Sequence, residues 1–331
     1  MFAGTTKAMQ NFGHRLTVTF PSLCRALSGS RSCNLNTSDV KCDPPQILAL
    51  KNAFDFDPSL ISIDTIKSEF VHLGGGSISL KKDNETGIAQ LQLVNSQMKN
   101  AYSGKMMCDL NDAMMELEDW EEGKGLVILS DDEKFFSSGV DRNFIKAQNS
   151  YEGGYKMATL MHDTMWRLTF LPMLTVSLIR GRALGGGAEI STASDFRVFS
   201  PSGSLEFIQA KIGLTSNYSG SRLVRLIGQR EALKLLLSCR KIDAKEAKKL
   251  GLCDLITYGE GVRATSETML WLQENFLDHV NSEVLKSMKS VCTQAHHGES
   301  LEENLEHEKM NFTSLWGGQS FGRAINRNLK H

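Results

Sequence analysis

The chain reads as an α/β protein whose strand–helix alternation gives way to helices alone towards the C-terminus. Three observations carry this reading. The apolar runs Leu126–Leu129 and Val176–Ile179 have the length of buried strands. Each is followed within a few residues by a glycine-centred turn. Helical apolar periodicity fills the stretch between them and, with few interruptions, everything after Gly220.

Taken in order, Ser77–Lys82 and Ile88–Val94 alternate apolar and polar residues around Asp83-Asn84-Glu85-Thr86-Gly87, which predicts a hairpin. Ser103 is an N-cap for a helix to about Trp120, with Met106, Met107, Leu110, Met114 and Leu117 on one face, a core stripe. Gly125–Ser130 is a short buried strand, and Glu152–Phe170 is a helix stopped by Pro172. Met173–Ile179 is another strand, and Gly185-Gly186-Gly187 opens a further helix. Asp195–Phe199 and Ser204–Phe207 read as strands; Gln229–Ser238, Ala244–Leu250, Gly261–Ser282, Glu283–Thr293 and Leu301–Ser314 read as helices. No internal repeat has a recognisable sequence period.

Composition narrows the function. A formal charge of −1 over 331 residues gives no basic field for nucleic acid or an anionic membrane. No apolar run approaches the roughly 20 residues that cross a bilayer. The seven cysteines are scattered, odd in number and without a C-x-x-C pair, which points to reduced thiols and to neither a zinc nor a redox site. Before Asp39 there is no acidic residue, while Lys7, Arg15, Arg25 and Arg31 are interleaved with Ser, Thr, Leu and Phe. That is the composition of a mitochondrial transit peptide or of an unpacked tail, so residues 1–70 are set aside as a leader or N-terminal extension. Residues 71–258 are then the core and 259–331 a C-terminal helical region.

Two glycine-centred turns carry the chemistry: Phe136-Ser137-Ser138-Gly139-Val140-Asp141, and Gly181-Arg182-Ala183-Leu184-Gly185-Gly186-Gly187-Ala188-Glu189. Glycine lets backbone N–H groups approach a ligand, and at a helix start those donors are unsatisfied and suit a developing oxyanion. The second turn fails the dinucleotide spacing, because the sixth position from Gly185 is Ile190, and it fails the phosphate-loop spacing, because Gly187 stands where lysine is needed. No G-x-S-x-G nucleophile elbow occurs. A turn serving only tight helix–strand packing stays open on the residues alone.

In this order and with these flanks the two turns resemble the signature segments of the crotonase (enoyl-CoA hydratase/isomerase) superfamily, from about Gly75 to the C-terminus. The resemblance implies a spiral of ββα units with a C-terminal helical trimerisation region, assembling as a homotrimer or dimer of trimers. It implies an acyl-CoA substrate, no separate cofactor and no metal, and an oxyanion hole made by the backbone N–H groups of Val140 and Gly186. The first of the two glutamates of a family hydratase matches Glu189; at the position of the second, 20 residues on, stands Gln209. An amide cannot be a general base. A neutral side chain does suit a substrate with its own carboxylate, since each close pair of like charges costs about 1–4 kcal/mol at intermediate dielectric.

Gly75-Gly76-Ser77-Ile78, Asn100-Ala101-Tyr102-Ser103-Gly104 and Leu315-Trp316-Gly317-Gly318 resemble the ethylmalonyl-CoA decarboxylase family, which also lacks the second glutamate. That resemblance implies decarboxylation of a malonyl-type thioester such as ethylmalonyl-CoA or methylmalonyl-CoA, metabolite repair and a cytosolic site; the leader composition points instead to mitochondria. Here the substrate loop Gly213–Arg222 departs from that family: it lacks the proline, has Ser219 for a glycine and is one residue short. Asn217 and Tyr218 are candidates to bind the departing carboxylate, with plain solvent-exposed loop residues as the open alternative. The expected catalytic residue is Glu189, with Gln209 binding substrate. Hydration or isomerisation of enoyl-CoA esters, and a non-catalytic acyl-CoA-binding module, are the alternatives.

Overall fold

The computed structural model describes residues 61–298 and 300–325. The leader-like first 60 residues lie outside the described residues. The expected boundary at residue 70 falls earlier: Ile63–Phe70 form helix α1, with Ile66 and Phe70 fully buried and the Phe70 ring edge-on to Phe144 at 4.9 Å. Two apolar anchors four residues apart tie that turn of chain to the core.

The elements that follow are β1 (Ser77–Asp83), β2 (Ile88–Val94), α2 (Gly104–Glu118), β3 (Gly125–Ser130), β4 (Phe135–Ser137), α3 (Arg142–Ala147), α4 (Tyr151–Phe170), β5 (Leu174–Ile179), β6 (Arg182–Leu184) and α5 (Gly186–Ser191). After them come β7 (Phe196–Phe199), β8 (Ser204–Glu206), α6 (Gly220–Ser238), β9 (Ile242–Asp243), α7 (Ala244–Leu250), β10 (Leu255–Ile256), α8 (Gly261–Leu272), α9 (Ser282–His297), α10 (Leu301–Leu315) and α11 (Gln319–Ile325).

Two sheets result. The larger runs β1-β2-β3-β5-β7-β10, antiparallel between β1 and β2 and parallel thereafter; the smaller runs β4-β6-β8-β9. Each of β3, β5 and β7 hands the chain to a short strand of the second sheet and then to a helix or helices. The chain therefore repeats a strand–strand–helix turn three times, the expected ββα spiral, in backbone geometry with no sequence period to announce it. Every residue of β3 is buried, as a parallel strand covered on both faces requires. On one face Val127, Leu129, Val176, Leu178 and Val198 pack with Ala264, Leu272, Leu277 and Leu285. The C-terminal helices thus cover one face of the larger sheet.

Local chemistry sets the ends. Ser103 Oγ accepts from the Met106 N–H and caps α2; Asp141 caps α3 through the N–H groups of Asn143 and Phe144. The Met106, Met107 and Met114 side chains are fully buried. Helix α6 begins at Gly220, earlier than its apolar periodicity suggests, because Gly228 (φ 77°) breaks the run and offsets its two halves. Asp195 is tied not locally but to Lys289 of α9 and to the Thr175 N–H and Oγ. Among the described residues no helix is long and apolar enough to cross a membrane, and no group of His, Cys, Asp or Glu could hold a metal ion.

Candidate active site

The two glycine turns meet. β4 and β6 are neighbours in the smaller sheet, so the chain leaving β4 (Ser138–Val140) and the chain leaving β6 (Gly185–Gly187) emerge side by side. Glycine makes the contact possible at two positions. Gly139 has φ +93°, and a Cβ there would lie 3.0 Å from Leu184 O and 3.3 Å from Gly186 N. A Cβ on Gly187 would lie 2.5 Å from Ser137 O. Gly186 in turn sits beside Val140, whose Cγ2 is 3.6 Å from where a Gly186 Cβ would be.

Tyr102 fixes the orientation of Val140. Its N–H donates to Gly139 O (2.7 Å) and its carbonyl accepts from the Asp141 N–H (2.9 Å). This parallel bridge leaves the Val140 N–H on the side away from Tyr102. Gly186 is the first residue of α5, where an N–H has no partner within the helix. Among the described residues neither N–H donates to another group.

Glu189, three residues into α5, is 2% exposed. Its Oε1 accepts three hydrogen bonds: from Ser216 Oγ (2.8 Å), the Asn217 N–H (3.0 Å) and Ser219 Oγ (2.9 Å). All three donors belong to the loop between Gly213 and Arg222. Tyr218 reaches past them to donate from Oη to Gly186 O (3.1 Å). Burial, with the Glu189 charge close by, holds the Tyr218 phenol well above its ordinary pKa, so it remains a donor. The loop is fastened from outside as well. His162 Nε2 donates to Asn217 O (2.9 Å), and Arg222 Nη1 donates to Tyr218 O (2.6 Å).

Val140, Gly186 and Glu189 are thus brought together. Gln209 opens the short turn Gln209–Ile212, directly after Ile208, whose Cγ1 lies 3.4 Å from a Cβ placed on Gly185. Gln209 is 8% exposed, its Oε1 is buried without a hydrogen-bond partner, and no hydrogen bond joins it to Glu189 among the described residues. The grip of Ser216 and Ser219 on Glu189 is not legible in the chain, because it spans 27 and 30 residues and depends on how the loop folds back. Arg182 is accounted for by an ion pair with Glu206 (2.9 Å) on a half-exposed surface.

Paired glycine turns, a buried carboxylate in the helix that follows the second and a two-sheet spiral define a class, and the chain belongs to it: residues 83–327 match the enoyl-CoA hydratase/isomerase family. Within that family the chain is 38% identical over 272 residues to an ethylmalonyl-CoA decarboxylase of Rattus norvegicus (81% of this chain, 89% of that one). It is 36% identical over 267 residues to an ethylmalonyl-CoA decarboxylase of Xenopus laevis (80% and 88%). The fold resembles the crystal structure of an enoyl-CoA hydratase from Bacillus anthracis (TM-score 0.68, 23% identity, 75% of this chain and 94% of that one). It also resembles a Thermobifida fusca protein solved in complex with acetoacetyl-CoA (TM-score 0.63, 20% identity, 72% and 94%).

Proposed function

We propose that the chain decarboxylates a malonyl-type acyl-CoA, ethylmalonyl-CoA and also methylmalonyl-CoA, through a thioester enolate. The observation that carries this reading is the pairing of one held carboxylate, Glu189, with an amide at Gln209. Glu189 is gripped beside the two turns, while an amide, Gln209, stands where a hydratase of this family has its second glutamate. Likeness to ethylmalonyl-CoA decarboxylases over about four fifths of the chain supports the same substrate class.

In this reading the thioester oxygen accepts hydrogen bonds from the N–H groups of Val140 and Gly186. The substrate carboxylate is held out of the thioester plane, so that the breaking C–C bond overlaps the carbonyl π-system. Its electron pair moves into the thioester, CO₂ leaves, and the enolate oxygen keeps the same two donors; losing one such donor typically costs about 10²–10³ in rate. A proton from water then reaches the α-carbon by way of Glu189 Oε2, which has no hydrogen-bond partner among the described residues. The thioester is the electron sink, so the chemistry calls for no separate cofactor.

Chain assembly is part of the proposal: a homotrimer or dimer of trimers. It is supported by exposed apolar side chains along α10 and just after it, among them Leu305, Met310, Phe312 and Trp316. The compartment proposed is the cytosol, which a fluorescent fusion of residues 1–70 tests against mitochondrial import.

The test is to follow CO₂ release and hydration in parallel with ethylmalonyl-CoA, methylmalonyl-CoA and crotonyl-CoA, using Glu189→Ala as control. CO₂ release that collapses in the variant, with little hydration, is the expected result. Hydration without CO₂ release would overturn the reading in favour of an enoyl-CoA hydratase. CO₂ release unchanged in Glu189→Ala would remove Glu189 from it.

A further inference from the structure

We propose that Ser216 and Ser219 are the positioning residues of Glu189, and that the altered substrate loop is built to aim that carboxylate. The proposal rests on Glu189 taking part in the reaction and adds which groups make it competent.

The geometry is specific. Ser216 Oγ and Ser219 Oγ each donate to the same atom, Glu189 Oε1, at 2.8 and 2.9 Å. The Asn217 N–H adds a third bond at 3.0 Å. Three donors around one oxygen fix both the rotamer and the roll of the carboxylate plane. They commit Oε1 to the loop and leave Oε2 for the substrate. With both hydroxyl protons given to Oε1, the link between the two serines is the Ser219 N–H, which donates to Ser216 Oγ at 3.3 Å, so the two contacts are not independent.

The loop is also held between the two serines. His162 and Arg222 bind its backbone from α4 and α6, and Tyr218 ties it to Gly186, one of the two proposed oxyanion donors. The loop therefore fixes Glu189 and the start of α5 relative to each other. Serine at 219 in place of glycine supplies a donor that a glycine could not, so the departure from the family pattern has a physical use. A catalytic carboxylate held about 1 Å out of place loses on the order of 10²-fold in rate, which sets the scale of what this grip protects.

The experiment uses the full chain with Ser216→Ala, Ser219→Ala, the double variant and Ser219→Thr, measuring kcat, KM and thermal midpoint on ethylmalonyl-CoA. Each alanine is expected to lower kcat about 10-fold, as loss of one hydrogen bond to a charged group does, with KM within about 3-fold. The double variant is expected to lose about 10²-fold, the two single losses multiplied. Ser219→Thr restores a hydroxyl and most of the rate. Retention of kcat within about 3-fold in the double variant would overturn the proposal. So would a kcat loss that follows the thermal midpoint and is not rescued by threonine. Absence of CO₂ release by the wild-type chain would sink the decarboxylase reading instead. The same variants read on crotonyl-CoA hydration then decide the positioning role by the same kcat criterion.

Discussion

Gly187→Ala tests whether the approach of the two glycine turns is what makes the site. The added Cβ would stand 2.5 Å from Ser137 O, 2.7 Å from Ser137 Cβ and 2.9 Å from Ser137 Oγ. Real Cβ atoms do not come closer than about 3 Å to such atoms, so α5 and β4 must part by roughly 0.5–1 Å. The contact on the Ser137 side is backbone in a buried strand and cannot turn aside as a long side chain would. Overpacking of this kind costs about 1–3 kcal/mol. For a chain of this size that lowers the thermal midpoint by a few to about 10 °C. The larger effect falls on the reaction. Parting the turns moves the Gly186 N–H away from the Val140 N–H, and misplacement on this scale costs about 10²-fold in kcat while KM, set by the remote parts of the substrate, changes little. The assay is CO₂ release from ethylmalonyl-CoA with a circular-dichroism melt of the same preparation. A folded Gly187→Ala variant with kcat within about 3-fold of wild type would refute the idea that the donors depend on this contact.

Other outcomes follow from groups outside the site. Lys289→Met leaves the Asp195 carboxylate with only its Thr175 bonds and releases α9 from the sheet; the variant should lose about 2–4 kcal/mol in urea unfolding, and a loss below about 0.5 kcal/mol would mean the pair is unimportant. His297 is held to about 4 by burial, by Arg225 and by further nearby cations, and Arg225 Nη1 donates to its Nδ1 (2.7 Å), so the ring is neutral in the folded chain. Its folded pKa lies below the ordinary 6.5, so the unfolded chain binds more protons between pH 6.5 and 4. The contribution is therefore fully present above pH 6.5 and lost as pH falls towards 4. Discounted for partial exposure it amounts to about 1–2 kcal/mol, and His297→Gln should flatten that part of the urea-midpoint profile. Burial raises the Cys108 and Cys253 thiols to about 11, whereas Cys292 is exposed; peptide mapping after iodoacetamide at pH 8 should show Cys292 modified and the other two intact until unfolding.

Much of the fold was legible because its signals are local. The hairpin β1–β2 follows from period-two alternation around Asp83–Gly87, α2 from the Ser103 cap and its methionine stripe, and β3 and β5 from short apolar runs. What escaped has no local signal. Strands of three residues, such as β4 and β6, cannot show a period, and they exist only because the second sheet pairs them. The burial of Ile66 and Phe70 depends on partners such as Phe144, far along the chain. At the site, Val140, Gly186 and Glu189 were named through the resemblance of the two glycine turns to the family's signature segments, because on the residues alone a packing turn stayed open. The holding of Glu189 by Ser216 and Ser219 could not be read, since a serine in a loop looks the same whether it faces water or a carboxylate. The buried, unpartnered Oε1 of Gln209 was equally beyond reach, because burial is a property of the packed chain.

The central claim is that this site makes a thioester enolate by losing CO₂. The direct measurement is to incubate the chain with ethylmalonyl-CoA in D₂O and weigh the products by mass spectrometry. The account predicts butyryl-CoA carrying one deuterium at the α-carbon, one CO₂ per turnover, and loss of both in Glu189→Ala. Unchanged ethylmalonyl-CoA, alongside hydration of crotonyl-CoA by the same preparation, would contradict it.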